Sequence, residues 1–125
     1  AVLPEFIAQK SGHIIVTSSA AGTRSVPGNA VYCGTKHFVR AMLDSFRMEA
    51  VTEGTNIHAT TIYPGAVKTE LLNTVAPSEA KTMVEQFYEN AGIPPDVIAN
   101  AVLYAVSQPD NVNVSDLVVR PSKEA

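Results

Sequence analysis

The 125-residue sequence has one cysteine, no tryptophan and no run of lysines or arginines. A single thiol cannot form an internal disulfide, and without paired cysteines or clustered histidines the sequence predicts no metal site. The net charge of −3 provides no attraction for nucleic acid or for an anionic membrane surface. These absences predict a protein of a reducing compartment, the cytoplasm, with neither nucleic acid nor a membrane among its partners.

Long apolar runs are also missing, since none approaches the roughly 18 residues that a membrane span requires. What the sequence does contain is 46% hydrophobic and 17% charged residues. Over this length, such a composition is typical of one globular domain with a sizeable core.

Apolar patterns divide the sequence into alternating strands and helices. Three short runs rich in β-branched residues are typical of strands buried on both faces: 13–17, 57–63 and 117–119. Helical spacing predicts helices over the first residues, from Asn29 to Gly54, from about Pro77, and from Pro94 to before Pro109. Alternating strands and helices build a parallel sheet with helices on both faces. We therefore predict an α/β fold, and because three strands make a narrow sheet, only part of a doubly wound one.

The helix that begins near Asn29 has apolar residues at helical spacing. Val39, Met42, Leu43 and Phe46 are expected to face the core, and Arg40, Asp44 and Arg47 are expected to face water.

Tyr32 and Lys36 are one helical turn apart, which places their side chains on one face of this helix, about 5–6 Å apart at the base. An ammonium at roughly 4 Å, with an effective dielectric constant of about 20, would favour a phenolate by about 4 kcal/mol. A tyrosine in this setting can exchange a proton with an alcohol or a carbonyl oxygen. The alternative is a chance pair, with the tyrosine in the core and the lysine in solvent.

Polar residues follow two of the predicted strands, at the carboxyl ends where open α/β sheets bind ligands. Ser18 and Ser19 follow the first strand, and their hydroxyl groups can either hold a substrate oxygen or cap the loop. The second strand leads into Pro64-Gly65-Ala66-Val67-Lys68-Thr69. Its glycine would let a flat ligand approach the backbone and its threonine could bond an amide, although an ordinary tight turn is the alternative.

Together these motifs resemble the short-chain dehydrogenase/reductase family. H-I-I-V-T-S-S-A-A-G is similar to the family's serine strand, Y-C-G-T-K to its Tyr-x-x-x-Lys motif, and Y-P-G-A-V-K-T to its nicotinamide loop. The resemblance covers essentially the whole chain and corresponds to the C-terminal portion of the family's Rossmann-type doubly wound parallel sheet. The ending P-D-N-V-N-V-S-D-L-V-V-R-P is similar to the NADP-dependent 3-hydroxy acid dehydrogenase branch.

The resemblance implies a role for each motif. Ser19 would orient the substrate oxygen, Tyr32 would act as general acid/base, and Lys36 would bind the nicotinamide ribose and favour the phenolate. The implied cofactor-binding residues are Tyr32, Lys36, Pro64, Gly65, Val67 and Thr69. The implied cofactor is NADP or NAD and the implied substrate a small alcohol or carbonyl compound. The implied assembly is a homodimer or homotetramer that packs through the first helix and the helix carrying Tyr32.

One part of the family pattern has no counterpart in the sequence. The glycine-rich phosphate loop, the residues that select NAD or NADP, and the asparagine of the proton relay are all missing. The expectation is therefore that residues 1–125 form a single partial domain, the catalytic half without the N-terminal cofactor-binding half, and are inactive alone. The rival hypothesis is a non-catalytic binding or assembly protein that keeps the fold. A serine hydrolase fits poorly because the G-x-S-x-G elbow is missing.

Overall fold

The computed structural model describes residues 1–124, which contain one three-stranded parallel sheet and four α-helices. The strands are β1 (Gly12–Thr17), β2 (Ile57–Pro64) and β3 (Asp116–Val119), in the order β1-β2-β3. The helices are α1 (Leu3–Gln9), α2 (Ala30–Thr52), α3 (Glu79–Ala91) and α4 (Pro95–Val106), with short 3-10 helices at Ala20–Gly22 and Glu70–Thr74. The predicted α/β class and the parallel sheet are confirmed. No helix within residues 1–124 is long and apolar enough to cross a membrane.

Strand β2 lies in the middle of the sheet and forms the core. Ile62 and Tyr63 are completely buried, as is Thr60. Buried polar atoms on this strand are paired, since the Thr60 hydroxyl donates to the Val114 carbonyl at 2.6 Å and the Tyr63 hydroxyl donates to Asp116 Oδ1 at 2.9 Å. Burial raises the pKa of Tyr63, so this phenol remains a neutral donor. The prediction of a strand buried on both faces is correct for β2.

The outer strands differ from that prediction. Residues 12–16 of β1 are only half-buried, and β3 alternates between exposed and half-buried residues. The physical reason is that β1 and β3 are the two edges of the sheet within the described residues, so each lacks a neighbouring strand on one side.

Helix α2 packs on the sheet largely through the predicted face, since Leu43 is buried and Val39 and Phe46 are half-buried. Its buried residues are Cys33, Leu43 and Ala50, whereas Met42 is 48% exposed. The prediction that Arg47 faces water is also wrong, because its half-buried side chain lies against Asp44, with Nη2 2.7 Å from Oδ1. Arg40 and Asp44 are exposed, as predicted.

Two histidines lie side by side at the amino ends of β1 and β2. His13 and His58 are partners in the strand register, and their rings meet edge to face with centroids 5.6 Å apart. The Thr60 hydroxyl already donates to Val114, so the contact of 2.7 Å between His13 Nε2 and Thr60 Oγ1 requires the histidine to donate. His58 Nε2 likewise donates to the Asp110 carbonyl, at 3.1 Å. Burial, and then the nearby charge of His58, lower the pKa of His13.

This pair predicts a loss of stability in mild acid. Below a pH of about 6.5, the ordinary pKa of histidine, His13 binds a proton in the unfolded chain more readily than in the folded chain. The free energy of unfolding should therefore fall as the pH falls. In His13→Gln, an amide can donate to Thr60 without titrating, and the fall should be shallower. Urea unfolding at several pH values between about 5 and 8 measures both slopes. Equal slopes would contradict this account of the pair.

Candidate active site

A cavity of about 370 Å³ opens at the carboxyl ends of β1 and β2, between these strand ends, the start of α2 and one face of α4. Its lining contains six of the seven site residues predicted from the sequence: Ser19, Tyr32, Pro64, Gly65, Val67 and Thr69. Lys36 is not part of the lining. Parallel pairing of β1 with β2 places both strand ends at this one edge of the sheet.

The two serines after β1 have different surroundings. Both line the cavity, but Ser18 is buried, and its hydroxyl donates to the Lys36 carbonyl of α2 at 3.3 Å. Ser19 is half-buried, lines the cavity, and accepts the Ala21 N–H at 3.1 Å. Because that bond uses a lone pair of the Ser19 oxygen, the hydroxyl hydrogen stays available to a ligand. Ser18 therefore holds α2 against the loop after β1, and Ser19 is the serine that can serve chemistry.

Tyr32 lies in the first turn of α2 and is 42% exposed. The Nζ atom of Lys36, one turn later, lies over the tyrosine ring, 5.6 Å from its centroid. The predicted common face of the two side chains is therefore present. The ammonium lies behind the ring, where it can act on the phenol through its charge without itself lining the cavity.

The loop after β2 leaves the backbone N–H groups of Val67 and Thr69 without a partner within residues 1–124, and both residues line the cavity. Gly65 N–H donates to the Val119 carbonyl at 2.8 Å, Ala66 N–H to Glu124 Oε2 at 2.7 Å, and Lys68 N–H to the Ile93 carbonyl at 2.9 Å. The N–H of Val67, between them, has no partner within residues 1–124. A buried or half-buried donor without a partner is uncommon, and here it belongs to a residue that lines the cavity.

Sequence patterns missed Tyr88 of α3, which is half-buried and lines the same cavity. Burial raises its pKa, and the charges of Tyr32 and Glu124 act in the same direction. Helical spacing also places Ala80, Met83, Val84 and Phe87 on one apolar face of α3, but this face is largely in solvent, since Met83 is 72% and Phe87 39% exposed. Apolar walls complete the cavity, contributed by Leu71, Pro95, Ile98, Ala99 and Val102.

Comparison with known proteins gives the family. The family profile described as short chain dehydrogenase matches residues 1–80. The chain belongs to the short-chain dehydrogenase family. An uncharacterized oxidoreductase of Listeria monocytogenes is 52% identical over 124 residues, which are 99% of this chain and 50% of that protein. An uncharacterized oxidoreductase of Staphylococcus saprophyticus is 45% identical, over 100% of this chain and 50% of that protein. The chain spans about half the length of the curated relatives it matches.

Solved structures of this family have the same fold. The closed form of a serine dehydrogenase complexed with NADP+ has a TM-score of 0.87 and 32% identity, over 99% of this chain and 50% of that one. An alcohol dehydrogenase from the archaeon Thermococcus sibiricus, complexed with 5-hydroxy-NADP, has a TM-score of 0.75 and 25% identity, over 98% of this chain and 47% of that one.

Glycine at position 22 sets how closely this short-chain dehydrogenase chain packs α2 against the loop after β1. A Cβ there would come within 2.9 Å of both the Lys36 carbonyl oxygen and Ser18 Oγ.

Gly22→Ala should therefore lower the free energy of unfolding by about 1–3 kcal/mol. The matched control is Gly34→Ala, since a Cβ on this α2 glycine meets nothing within 4 Å. It should be neutral or stabilising by about 0.5–1 kcal/mol through helix propensity. Denaturant unfolding compares the two variants, and equal effects would contradict the close approach.

Proposed function

We propose that the protein containing this chain is an NAD(P)-dependent oxidoreductase that transfers a hydride between a nicotinamide cofactor and an alcohol/carbonyl pair. One observation carries the proposal: a serine hydroxyl, a phenol and an unpartnered backbone N–H, from Ser19, Tyr32 and Val67, belong to one cavity. Membership of the short-chain dehydrogenase family and the NADP bound to related structures support it. We further propose that residues 1–125 form the catalytic half of the domain, inactive alone, with the cofactor-binding half outside them.

The loop after β2 fits the nicotinamide end of such a cofactor. A carboxamide needs a donor for its oxygen, and the Val67 N–H is free to supply one. The Thr69 hydroxyl accepts only a long bond of 3.4 Å from the Leu71 N–H, and its hydrogen is available for a second contact. Pro64 and Leu71 add apolar surface for the ring. When bound, the nicotinamide supplies the redox step as a hydride donor or acceptor.

The protein's own residues would orient the substrate and move its proton. Ser19 donates its free hydroxyl hydrogen to the substrate oxygen, because its lone pair is occupied by Ala21 N–H. Tyr32 gives its phenolic proton to a carbonyl oxygen during reduction and takes a proton from the alcohol during oxidation. The Lys36 ammonium over the ring stabilises the negative charge that Tyr32 holds after giving up its proton.

The substrate class that we propose is a small hydroxy compound, with 3-hydroxy acids as the first to test. The proposal combines the resemblance of the C-terminal sequence to the 3-hydroxy acid dehydrogenase branch with a likeness to a serine dehydrogenase, since serine is itself a 3-hydroxy acid. A cytoplasmic location remains a prediction, as does the preference for NADP.

We also propose a homodimer or homotetramer built on α1 and α2. Phe38, Met42 and Met48 of α2 are 66%, 48% and 59% exposed, and Ile7 of α1 is 45% exposed. Large apolar side chains in solvent on α1 and α2 are typical of a surface that a second copy covers.

Removal of the proposed general acid/base tests the chemistry. In the full-length protein, Tyr32→Phe should lower kcat by about 10²–10⁴-fold, because the ring stays in place and only the proton donor is lost. Cofactor affinity should remain close to that of the wild type. Steady-state kinetics with NADP and a set of hydroxy acids measure kcat, and fluorescence titration with NADPH measures Kd. Undiminished turnover would remove Tyr32 from this role, and a wild-type protein that turns over none of these substrates would favour the binding-protein hypothesis.

The two serines provide a matched pair of variants. Ser19→Ala should lower kcat by about 10²-fold or more through loss of an oriented donor, with little change in stability. Ser18→Ala should lower the free energy of unfolding by about 1 kcal/mol through loss of its bond to the Lys36 carbonyl, with kcat changed by only a small factor. Kinetics and urea unfolding of both variants are needed. The reverse pattern would show that the roles of the serines are exchanged.

A further inference from the structure

The segment that follows β3 returns to the candidate active site. A turn forms in which the Glu124 N–H donates to the Pro121 carbonyl at 3.0 Å. This turn carries the Glu124 carboxylate, whose side chain is only 13% exposed, to the loop that follows β2. There Oε2 accepts the Ala66 N–H at 2.7 Å. A residue 58 positions away thus provides the acceptor for a peptide of the proposed nicotinamide loop.

The same segment also contacts the loop that follows β1. Glu124 Oε1 lies 3.7 Å from Arg24 Nη2. Arg120 Nη2 donates to Thr23 Oγ1 at 3.4 Å, and the Thr23 hydroxyl donates to the Ala20 carbonyl at 2.8 Å. Residues 120–124 therefore connect the two loops between which the cavity opens.

The Glu124 carboxylate occupies the space that a side chain at position 65 would need. A Cβ built on this glycine would collide with the Glu124 carboxylate, which supplies its three nearest atoms. The sequence suggested that this glycine allows a flat ligand to approach the backbone. Contact with Glu124 is a second explanation for it. Glycine at position 65 admits the carboxylate to the backbone.

The bond to Glu124 fixes the orientation of the Gly65–Ala66 peptide, which directly precedes the peptide that carries the Val67 N–H. Ala66 is 3% exposed, so its N–H would have no ready substitute for the carboxylate. The next planar peptide has its Ala66 carbonyl bonded to the Ile93 N–H at 3.0 Å. Because the C=O and N–H of a trans peptide point in opposite directions, this peptide presents its other end, the Val67 N–H, away from Ile93.

We propose that Glu124 is a positioning residue for the nicotinamide loop: its carboxylate anchors the Gly65–Ala66 peptide, and the adjoining peptide, bonded to Ile93, then presents the Val67 N–H to the cofactor. The inference rests on the proposed function. The hydrogen bond is the important contact, and the ion pair contributes little, because Arg24 is 44% exposed and its 3.7 Å contact is long.

The test uses the full-length protein with NADPH as the probe. Glu124→Ala should raise the Kd and the KM for cofactor about tenfold, with kcat at saturating cofactor changed by less than about threefold. Glu124→Gln keeps an acceptor for the Ala66 N–H, and its Kd should lie within about threefold of the wild-type value. Lys123→Ala, on an exposed neighbour in the same turn, is the control and should bind as the wild type does.

A double-mutant cycle gives a second, independent measurement. Gly65→Ala should displace the carboxylate and lower the free energy of unfolding, and in the Glu124→Ala background, where the carboxylate is gone, the same substitution should lower it much less. Additive effects of the two substitutions on this free energy would overturn the proposal. So would a wild-type Kd in Glu124→Ala, or equal losses in Glu124→Ala and Glu124→Gln. A wild-type protein that binds neither NADPH nor NADH would instead contradict the proposed function.

Discussion

Parallel pairing of β1 with β2 is the constraint on which the rest of the structure depends. In parallel strands the carboxyl ends lie at the same edge, so two loops that are far apart in sequence become neighbours. The loop after β1 contributes Ser19, the loop after β2 contributes Val67, and α2 begins beside them with Tyr32. A change of register between the strands would separate these groups. The fully buried Ile62 and Tyr63 lie on opposite faces of β2 and oppose such a change, because a shift by one residue would exchange the faces on which these unequal side chains pack and break the bond from Tyr63 to Asp116.

Some polar groups around the cavity are bonded within the chain, and others remain free for a ligand. Ser18 uses its hydroxyl to hold α2, and Gly65, Ala66 and Lys68 have their N–H groups bonded within the chain. Ser19 retains a donor hydrogen, and the Val67 N–H lacks a partner within residues 1–124. Donors beside the cavity that the chain itself does not use are those that a ligand can use.

Local patterns in the sequence predicted most of the fold and the polar side of the site. The spacing of Tyr32 and Lys36, the β-branched runs and the Pro-Gly turn each reflect interactions within a few residues. Glu124 and Tyr88 could not be predicted in this way. Glu124 meets a peptide 58 residues away, and Tyr88 lies outside the apolar residues that helical spacing groups on α3, although it lines the cavity. The error at Met42 has a related cause, because helical periodicity identifies an apolar stripe but not the surface that covers it.

The most direct test of the central claim is a crystal structure of the full-length protein with NADP+. The account predicts that the carboxamide of the nicotinamide accepts a hydrogen bond of about 3 Å from the Val67 N–H. It also predicts that Tyr32 and Ser19 face the same open space above the ring. A nicotinamide bound away from the loop after β2, or a Val67 N–H bonded to another group of the protein, would contradict it.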